Sequence, residues 1–288
     1  MAWHLTGDVS RYLSAAGAFL RARAAEDTVL LTAAESVRAR GVNAFGEQPP
    51  VFGWWAGPDG TVAGAFMHTP PYPAALSRLP AGAAAVLAGE LAAAGRNPPG
   101  VNADAETGSA FASAWQARTG CEVTLERRMR LYRLAALRPP DPPPAGAARI
   151  AGPADRELLL DWVTAFGYEV GDLVTGPERT IGDRLSYGGL TLWQTGGQPV
   201  SMAGLTRQVS CQVRVGPVYT PPQFRGCGFA AAVTAAVSAA ALAAGAGEVV
   251  LFTDLANPTS NDLYQRLGYQ PVSDHVSLQF RPAGRPRQ

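Results

Sequence analysis

The chain has 288 residues, 47% hydrophobic and 16% charged, with a formal net charge of +1. That gives room for one large soluble domain or two ordinary ones, and the near-neutral balance argues against nucleic acid or an anionic membrane as partner. Three scattered cysteines, Cys121, Cys211 and Cys227, form no CxxC or Cys/His cluster, so neither a disulfide framework nor a metal site is expected, and a reducing cytoplasm fits best.

Val9, Tyr12, Leu13, Ala16, Phe19 and Leu20 recur at helical spacing between arginines, which predicts a helix over 9–23 and no signal peptide. A second helix is expected over 33–40. Strands over 52–56 and 62–67 form a hairpin around Gly57-Pro58-Asp59-Gly60. Then come a helix over 83–94, a short strand over 101–103, a helix over 107–118 and a closing strand over 123–134. The run RPPDPPPAGAA, from Arg138, is too rich in proline for helix or sheet and reads as a linker. Beyond it the pattern predicts helices over 155–168 and 178–185, and strands over 190–194, 200–206 and 213–219. A helix over 229–244, a strand over 249–253, a helix over 260–267 and a last strand over 269–279 follow. Residues 227–247 carry no charge and reach the length of a membrane span. They are mostly alanine, however, between a glycine turn and a strand, and read as a buried helix.

The order of elements nearly repeats, which points to two copies of one α/β unit. The expected bounds are 1–137 for a degenerate first unit, 138–149 for the linker, 150–280 for the second unit and 281–288 for a disordered tail.

The stretch VGPVYTPPQFRGCGFAAAV carries a strand into an alanine-rich helix. Such a turn leaves the first helical N–H groups without partners, and with the helix dipole they attract an anion. Glycine lets the backbone approach it, and Arg225 adds a charged fork suited to phosphate. Gln223, Phe224, Arg225, Gly226, Cys227, Gly228, Phe229 and Ala230 can thus cradle a pyrophosphate; an ordinary tight turn is the other reading. One helix and one strand later stands LFTDLANPTSNDLYQRLGYQPV.

Together the two stretches resemble the GNAT acetyltransferase superfamily. Gln223, Gly226 and Gly228 match its coenzyme A loop, and Asn257, Tyr264, Gly268 and Tyr269 match its later strand–Asn–helix–Tyr pattern. The resemblance covers 150–280 well, and the first half only in element order. It implies an α/β fold of two units. Each is a mostly antiparallel mixed sheet with helices on both faces and a central parallel strand pair splayed at the cofactor site. It also implies acetyl-CoA as cosubstrate without a metal, transfer to an amine of a small molecule or peptide, and a chain acting as monomer or homodimer. Backbone amides of Val218, Tyr219 and Thr220 would hold pantetheine in the splay, with Ser260 and Asn261 as further polar candidates and Asn257 as helix cap, ligand contact or both.

For chemistry, Tyr264 can donate a proton or a hydrogen bond to the departing thiolate sulfur; its other reading is a helix anchor beside Leu263 and Leu267. Glu169, at a helix end, is a candidate base for the ammonium acceptor or simply a solvated helix end, and Asp254 is a weaker candidate that reads better as a turn or cap residue. The first half lacks the glycine cradle and has Trp115 near where a tyrosine is wanted, so coenzyme A binding is expected only in the second. His4, His68 and His275 are isolated. The competing function is a non-catalytic acyl-CoA-binding sensor or regulatory module.

Overall fold

The computed structural model describes residues 1–171 and 176–282. The first series of elements is β1 (Ala2–Thr6), α1 (Val9–Ala22), α2 (Thr28–Arg40), β2 (Val51–Ala56), β3 (Val62–His68), β4 (Ala74–Leu76), α3 (Ala83–Ala93), β5 (Gly100–Asp104), α4 (Ala105–Thr119) and β6 (Glu122–Leu134). The second is β7 (Ala147–Ile150), α5 (Arg156–Val170), α6 (Pro177–Ser186), β8 (Leu190–Thr195), β9 (Gln198–Leu205), β10 (Gln212–Tyr219), α7 (Phe229–Ala243), β11 (Glu248–Asp254), α8 (Pro258–Arg266) and β12 (Tyr269–Arg281). The order repeats element for element, including three strands, β1, β4 and β7, that the sequence pattern does not reveal. β4 is three residues long, too short to show an alternation, and β7 lies partly in the segment read as a linker.

Two compact units result, and they are not consecutive halves. One comprises 1–130, 254–256 and 273–288; the other comprises 131–253 and 257–272. β6 and β12 therefore each give residues to both units, which no split at the proline-rich run allows. Three of the residues read as linker, Ala147, Ala148 and Arg149, pair with Gln194, Trp193 and Leu192. Of the expected tail, Arg281 belongs to β12, and 283–288 lie outside the described residues.

In the first unit the strand order is β1-β2-β3-β4-β5-β12-β6. β1/β2, β2/β3, β3/β4 and β5/β12 are antiparallel and β4/β5 is parallel. One core contains Trp3, Trp55, Phe66, Leu87, Leu91, Phe111 and Trp115, with α3 and α4 over the sheet. Leu87 and Leu91 are fully buried, each contributing roughly 1.5–3 kcal/mol of hydrophobic stabilisation. On α1, Tyr12 stacks on Phe52 at 5.1 Å.

In the second unit the order is β12-β6-β11-β10-β9-β8-β7, antiparallel through β7/β8, β8/β9 and β9/β10, with β10/β11 parallel. Strand periodicity places Val213, Val215, Val249 and Leu251 in a core with Ala232, Val233 and Val237 of α7. Leu190, Leu192 and Met202 meet Leu159, Trp162 and Ile181 of α5 and α6 in another. The mixed α/β architecture agrees with the sequence reading. No helix among the described residues is long and apolar enough to cross a membrane; α7, the uncharged segment, buries Ala232, Val233, Val237 and Ala241 instead.

Candidate active site

All the sequence-predicted site residues except Asp254 fall in the second unit. The site begins where the parallel ladder stops. β10 and β11 pair from Gln212↔Glu248 to Val215↔Leu251, and both strands run on past that point. On its other side β10 pairs Val215 with Leu205 and then Val218 with Ala203, so three steps of β10 face two of β9. This bulge holds Gly216 and Pro217, and Pro217 has no N–H to give to a ladder. The Gly216 carbonyl accepts instead from Arg184 of α6. Ser201 fixes the strand end, its hydroxyl 3.1 Å from the Tyr219 carbonyl and 2.8 Å from the Thr220 hydroxyl. The parallel strands thus part where Val218, Tyr219 and Thr220 were expected to hold a ligand through their backbone.

The loop that follows makes one 3₁₀ turn, Pro222–Phe224, before α7. Gly226 and Gly228 have φ of 78° and 79°, left-handed values that favour glycine. Nothing lies within 4 Å of a Cβ placed on Gly226, and only Pro144 at 3.8 Å near one on Gly228. Gly228 is the N-cap of α7 and supplies no capping side chain, so the first-turn amides of Phe229, Ala230 and Ala231 have no acceptor among the described residues. Gln223, Arg225, Gly226, Cys227 and Gly228 are exposed. A glycine loop open to solvent, with unspent amides behind it, fits an anionic group such as a pyrophosphate.

Arg225 and Glu169 meet directly. Nη2 of Arg225 donates to both Glu169 oxygens at 2.7 and 2.6 Å, and Nε donates to the Thr220 carbonyl at 2.9 Å. The guanidinium lies 6.0 Å from the Tyr219 ring centroid. Tyr219 Oη stands 3.5 Å from Glu169, and burial followed by that carboxylate's charge pushes its pKa up. Trp162 and Phe166 of α5 pack against the same ring at 6.1 and 6.5 Å.

Tyr264 is buried on α8, edge-on to Tyr269 at 6.0 Å. Its hydroxyl makes no hydrogen bond to a described residue, and burial pushes its pKa up to about 12. Tyr269, by contrast, shares a 2.7 Å hydrogen bond with Ser238.

Asn257 caps α8, its Oδ1 accepting from Ser260 N at 3.0 Å. The Asn261 amide is engaged within the unit: Oδ1 accepts from Tyr132 Oη at 2.9 Å and Nδ2 donates to the Asn257 carbonyl at 2.7 Å. Cys227 Sγ turns back to the Arg225 carbonyl at 3.7 Å. Asp254 clusters with the first unit, accepting from Ala256 N at 2.8 Å and standing 3.8 Å from Arg127, in line with its reading as a turn residue. Glu169, Arg225, Tyr219 and Thr220 thus form one connected group. Tyr264 and Tyr269 form another, and Asn257, Ser260, Asn261 and Tyr132 a third. Arg184 and Ser201 were not anticipated, because a lone arginine in a helix and a lone serine in a strand carry no pattern. Among the described residues no group of side chains could hold a metal ion.

The sequence over 157–269 matches the model of the Acetyltransferase (GNAT) family, while no curated protein matches the chain. Among solved structures it is similar to a Drosophila protein (12% identity, 97% of this chain and 98% of that one, TM-score 0.69). It is also similar to a GCN5-related N-acetyltransferase from Sphaerobacter thermophilus (18%, 99% and 98%, TM-score 0.63). A third likeness is to an acetyltransferase from the GNAT family from Colwellia psychrerythraea (11%, 97% and 99%, TM-score 0.58). At such identities these show the fold, and the likeness runs through both series of elements. With the parted strands, the glycine loop and the family match all falling on one segment, residues 157–269 belong to the Acetyltransferase (GNAT) family.

Proposed function

We propose that this chain is an acetyl-CoA-dependent N-acetyltransferase acting on an amine of a small molecule or peptide. The observation that carries the reading is the set of unpaired first-turn amides of α7 behind Gly226 and Gly228, beside the parted ends of β10 and β11. Acetyl-CoA would supply the acetyl group already activated as a thioester.

The residues divide the work. The amides of Gly226, Cys227, Gly228, Phe229 and Ala230, with Arg225, hold the pyrophosphate. Val218, Tyr219 and Thr220 pair with pantetheine, and one of their N–H groups polarises the acyl carbonyl. Tyr264, at about 12, keeps its proton at neutral pH. An ordinary thiol has a pKa of roughly 8.5, so full transfer of the phenolic proton is uphill by roughly three units. The favourable role of Tyr264 is therefore to donate a hydrogen bond to the sulfur as it gains charge, and its free hydroxyl suits that. Glu169 accepts the proton that the ammonium acceptor must lose. The free state of all three cysteines is in keeping with a cytoplasmic enzyme.

The test is a free-thiol release assay with acetyl-CoA against a panel of amines. Enzyme-dependent release with at least one amine is expected. Tight coenzyme A binding with no release on any amine would replace the enzyme by an acyl-CoA sensor.

A further inference from the structure

Glu169 and Arg225 have opposite tasks in the reading above, the acceptor's proton and the ligand's phosphates, yet they hold each other. We propose that Glu169 occupies the phosphate-binding arginine of the glycine loop until coenzyme A displaces it, so that cosubstrate binding and release of the base are one exchange at Arg225. This rests on the acetyltransferase reading of the same site.

Two nitrogens of the guanidinium are held by different partners. Nε is fixed to the Thr220 carbonyl at 2.9 Å, a backbone contact that needs no help from Glu169. Nη2 alone carries the carboxylate, at 2.7 and 2.6 Å. Replacing one anion on Nη2 by another therefore leaves the arginine anchored and its place over the Tyr219 ring unchanged. The side chains are 48% and 43% exposed, so the pair is solvated and weak, and easily exchanged. The pyrophosphate brings two negative charges where the carboxylate brings one, and the α7 amides stand behind it. Once displaced, Glu169 stays on the last turn of α5, with Oε1 beside the Tyr219 hydroxyl and Oε2 open to an incoming ammonium. The order of events follows: the base is freed only on a chain already loaded with its cosubstrate.

The experiment is calorimetric titration of coenzyme A, without acetyl group or acceptor, into four proteins: the parent, Glu169→Gln, Arg225→Gln and the double variant. Both side chains are half-exposed, and circular dichroism checks that the fold is kept. Glu169→Gln should tighten coenzyme A binding about two- to five-fold, which at 1.4 kcal/mol per factor of ten is about 0.4–1 kcal/mol. Arg225→Gln should weaken binding, and in its presence Glu169→Gln should change nothing. A Glu169→Gln variant that binds like the parent overturns the proposal. So does a gain that persists in the double variant, since the effect is then general charge and not exchange at Arg225. A parent that binds no coenzyme A overturns the acetyltransferase reading itself, a result distinct from a silent Glu169 in a parent that binds.

Discussion

Two strand-to-helix turns occupy corresponding places in the repeated series, SRLPAG before α3 and QFRGCG before α7. Both end in a left-handed glycine that caps its helix without a side chain: Gly82 at φ 80° and Gly228 at φ 79°. The helix dipole and the permissive cap are therefore common property and do not by themselves distinguish the two turns. The turns differ two residues earlier. Gly226 stands at φ 78° in the second, where the first has Pro80, which has no N–H and is confined to negative φ. Arg225 faces solvent, whereas its counterpart Leu79 packs on the first unit's core; both amides are spent, that of Leu79 on the Thr107 hydroxyl at 3.1 Å and that of Arg225 on the Pro222 carbonyl at 3.2 Å. The helix ends diverge likewise. Four residues before the left-handed Gly268 is Tyr264, whose hydroxyl has no partner among the described residues; four before Gly120 is Gln116, whose amide is given to the Cys121 carbonyl. The difference is thus local: the second unit has a glycine amide at 226 and a tyrosine hydroxyl at 264 where the first has a proline at 80 and a glutamine at 116 that is already hydrogen-bonded.

The largest effect that sharpens this contrast lies in where each unit keeps its acids. Glu169 is half-exposed and paired, but Asp27 of the first unit is 3% exposed and its Oδ2 has no hydrogen-bond partner among the described residues. Burial raises its pKa to about 7, with Arg23 opposing and Glu26 and Asp104 adding to the rise. The folded state thus holds a proton that the unfolded chain releases near pH 4. That stability is fully present below pH 4 and is lost as the pH climbs through 7, by about 4 kcal/mol for a shift of this size. Burial pushes His68 down to about 4 and His275 below the usual imidazole range, and both act in the opposite direction, so the Asp27 contribution is read as a difference: the denaturant midpoint of Asp27→Asn minus that of the parent should grow from pH 4 to pH 8. A difference that stays constant with pH over this range would show that Asp27 is ionised in the fold.

Next in size is Tyr264→Phe. The ring and its packing on Tyr269 remain, and only the hydroxyl is lost. A hydrogen bond to a sulfur that gains charge in the transition state affects kcat and leaves coenzyme A affinity nearly unchanged. About a hundred-fold fall is expected, the low end of general-acid contributions, read from steady-state rates beside a coenzyme A titration. Gln116→Leu, the matching change in the first unit, should leave kcat alone. If the two variants behaved alike in kcat, the division of labour drawn from the helix ends would fail.

The sequence disclosed the fold wherever periodicity was long enough to see. α1, α5 and α7, and the β2–β3 and β8–β9 hairpins, follow from runs of apolar residues at helical or alternating spacing. β4 and β7 escaped because three or four residues beside prolines carry no period, and the sharing of β6 and β12 between units escaped because pairing partners distant in sequence leave no local trace. At the site the glycine turn and Tyr264 were legible as motifs. The Glu169–Arg225 pair was not, since the two residues lie 56 positions apart and were read from unrelated signals. Nor was the commitment of Asn261 to Tyr132, which depends on β6 lying beside α8 in the same unit.

Smaller effects separate the glycines. Gly82→Ala and Gly228→Ala each put a Cβ at positive φ without a clash, in open space at Gly82 and in ordinary contact with Pro144 at Gly228, and each should cost about 1–2 kcal/mol of stability for the left-handed backbone alone. Thermal unfolding should show like losses in both. Coenzyme A titration should separate them, with binding weakened only in Gly228→Ala and one site per chain in the parent. Two equivalent sites in the parent would mean that Pro80 does not disable the first turn.

The smallest expected effect concerns the two caps. Asp104 Oδ1 accepts from Thr107 N at 3.1 Å and Asn257 Oδ1 from Ser260 N at 3.0 Å, the same three-residue geometry at the start of α4 and α8. Replacing either by alanine removes one acceptor from a helix start and should cost about 1 kcal/mol. The carbonyl of Asn257, which holds Asn261, survives the change because it belongs to the backbone. Stability alone then makes the two positions equivalent, and the ligand must tell them apart. Aspartate at 257 restores the capping oxygen, and its charge suits a helix N-terminus, but it lacks the amide N–H₂ that a pantetheine carbonyl would accept from. If Asn257 only caps, Asn257→Asp should match the parent in both melting temperature and coenzyme A affinity. If it also touches the ligand, as proposed, Asn257→Asp should recover the stability lost in Asn257→Ala and still bind coenzyme A several-fold more weakly, as one hydrogen bond of about 1 kcal/mol implies. Asp104→Asn, with its cap likewise kept, should leave coenzyme A binding unchanged, and a loss there would place the first unit's helix start in the ligand's reach.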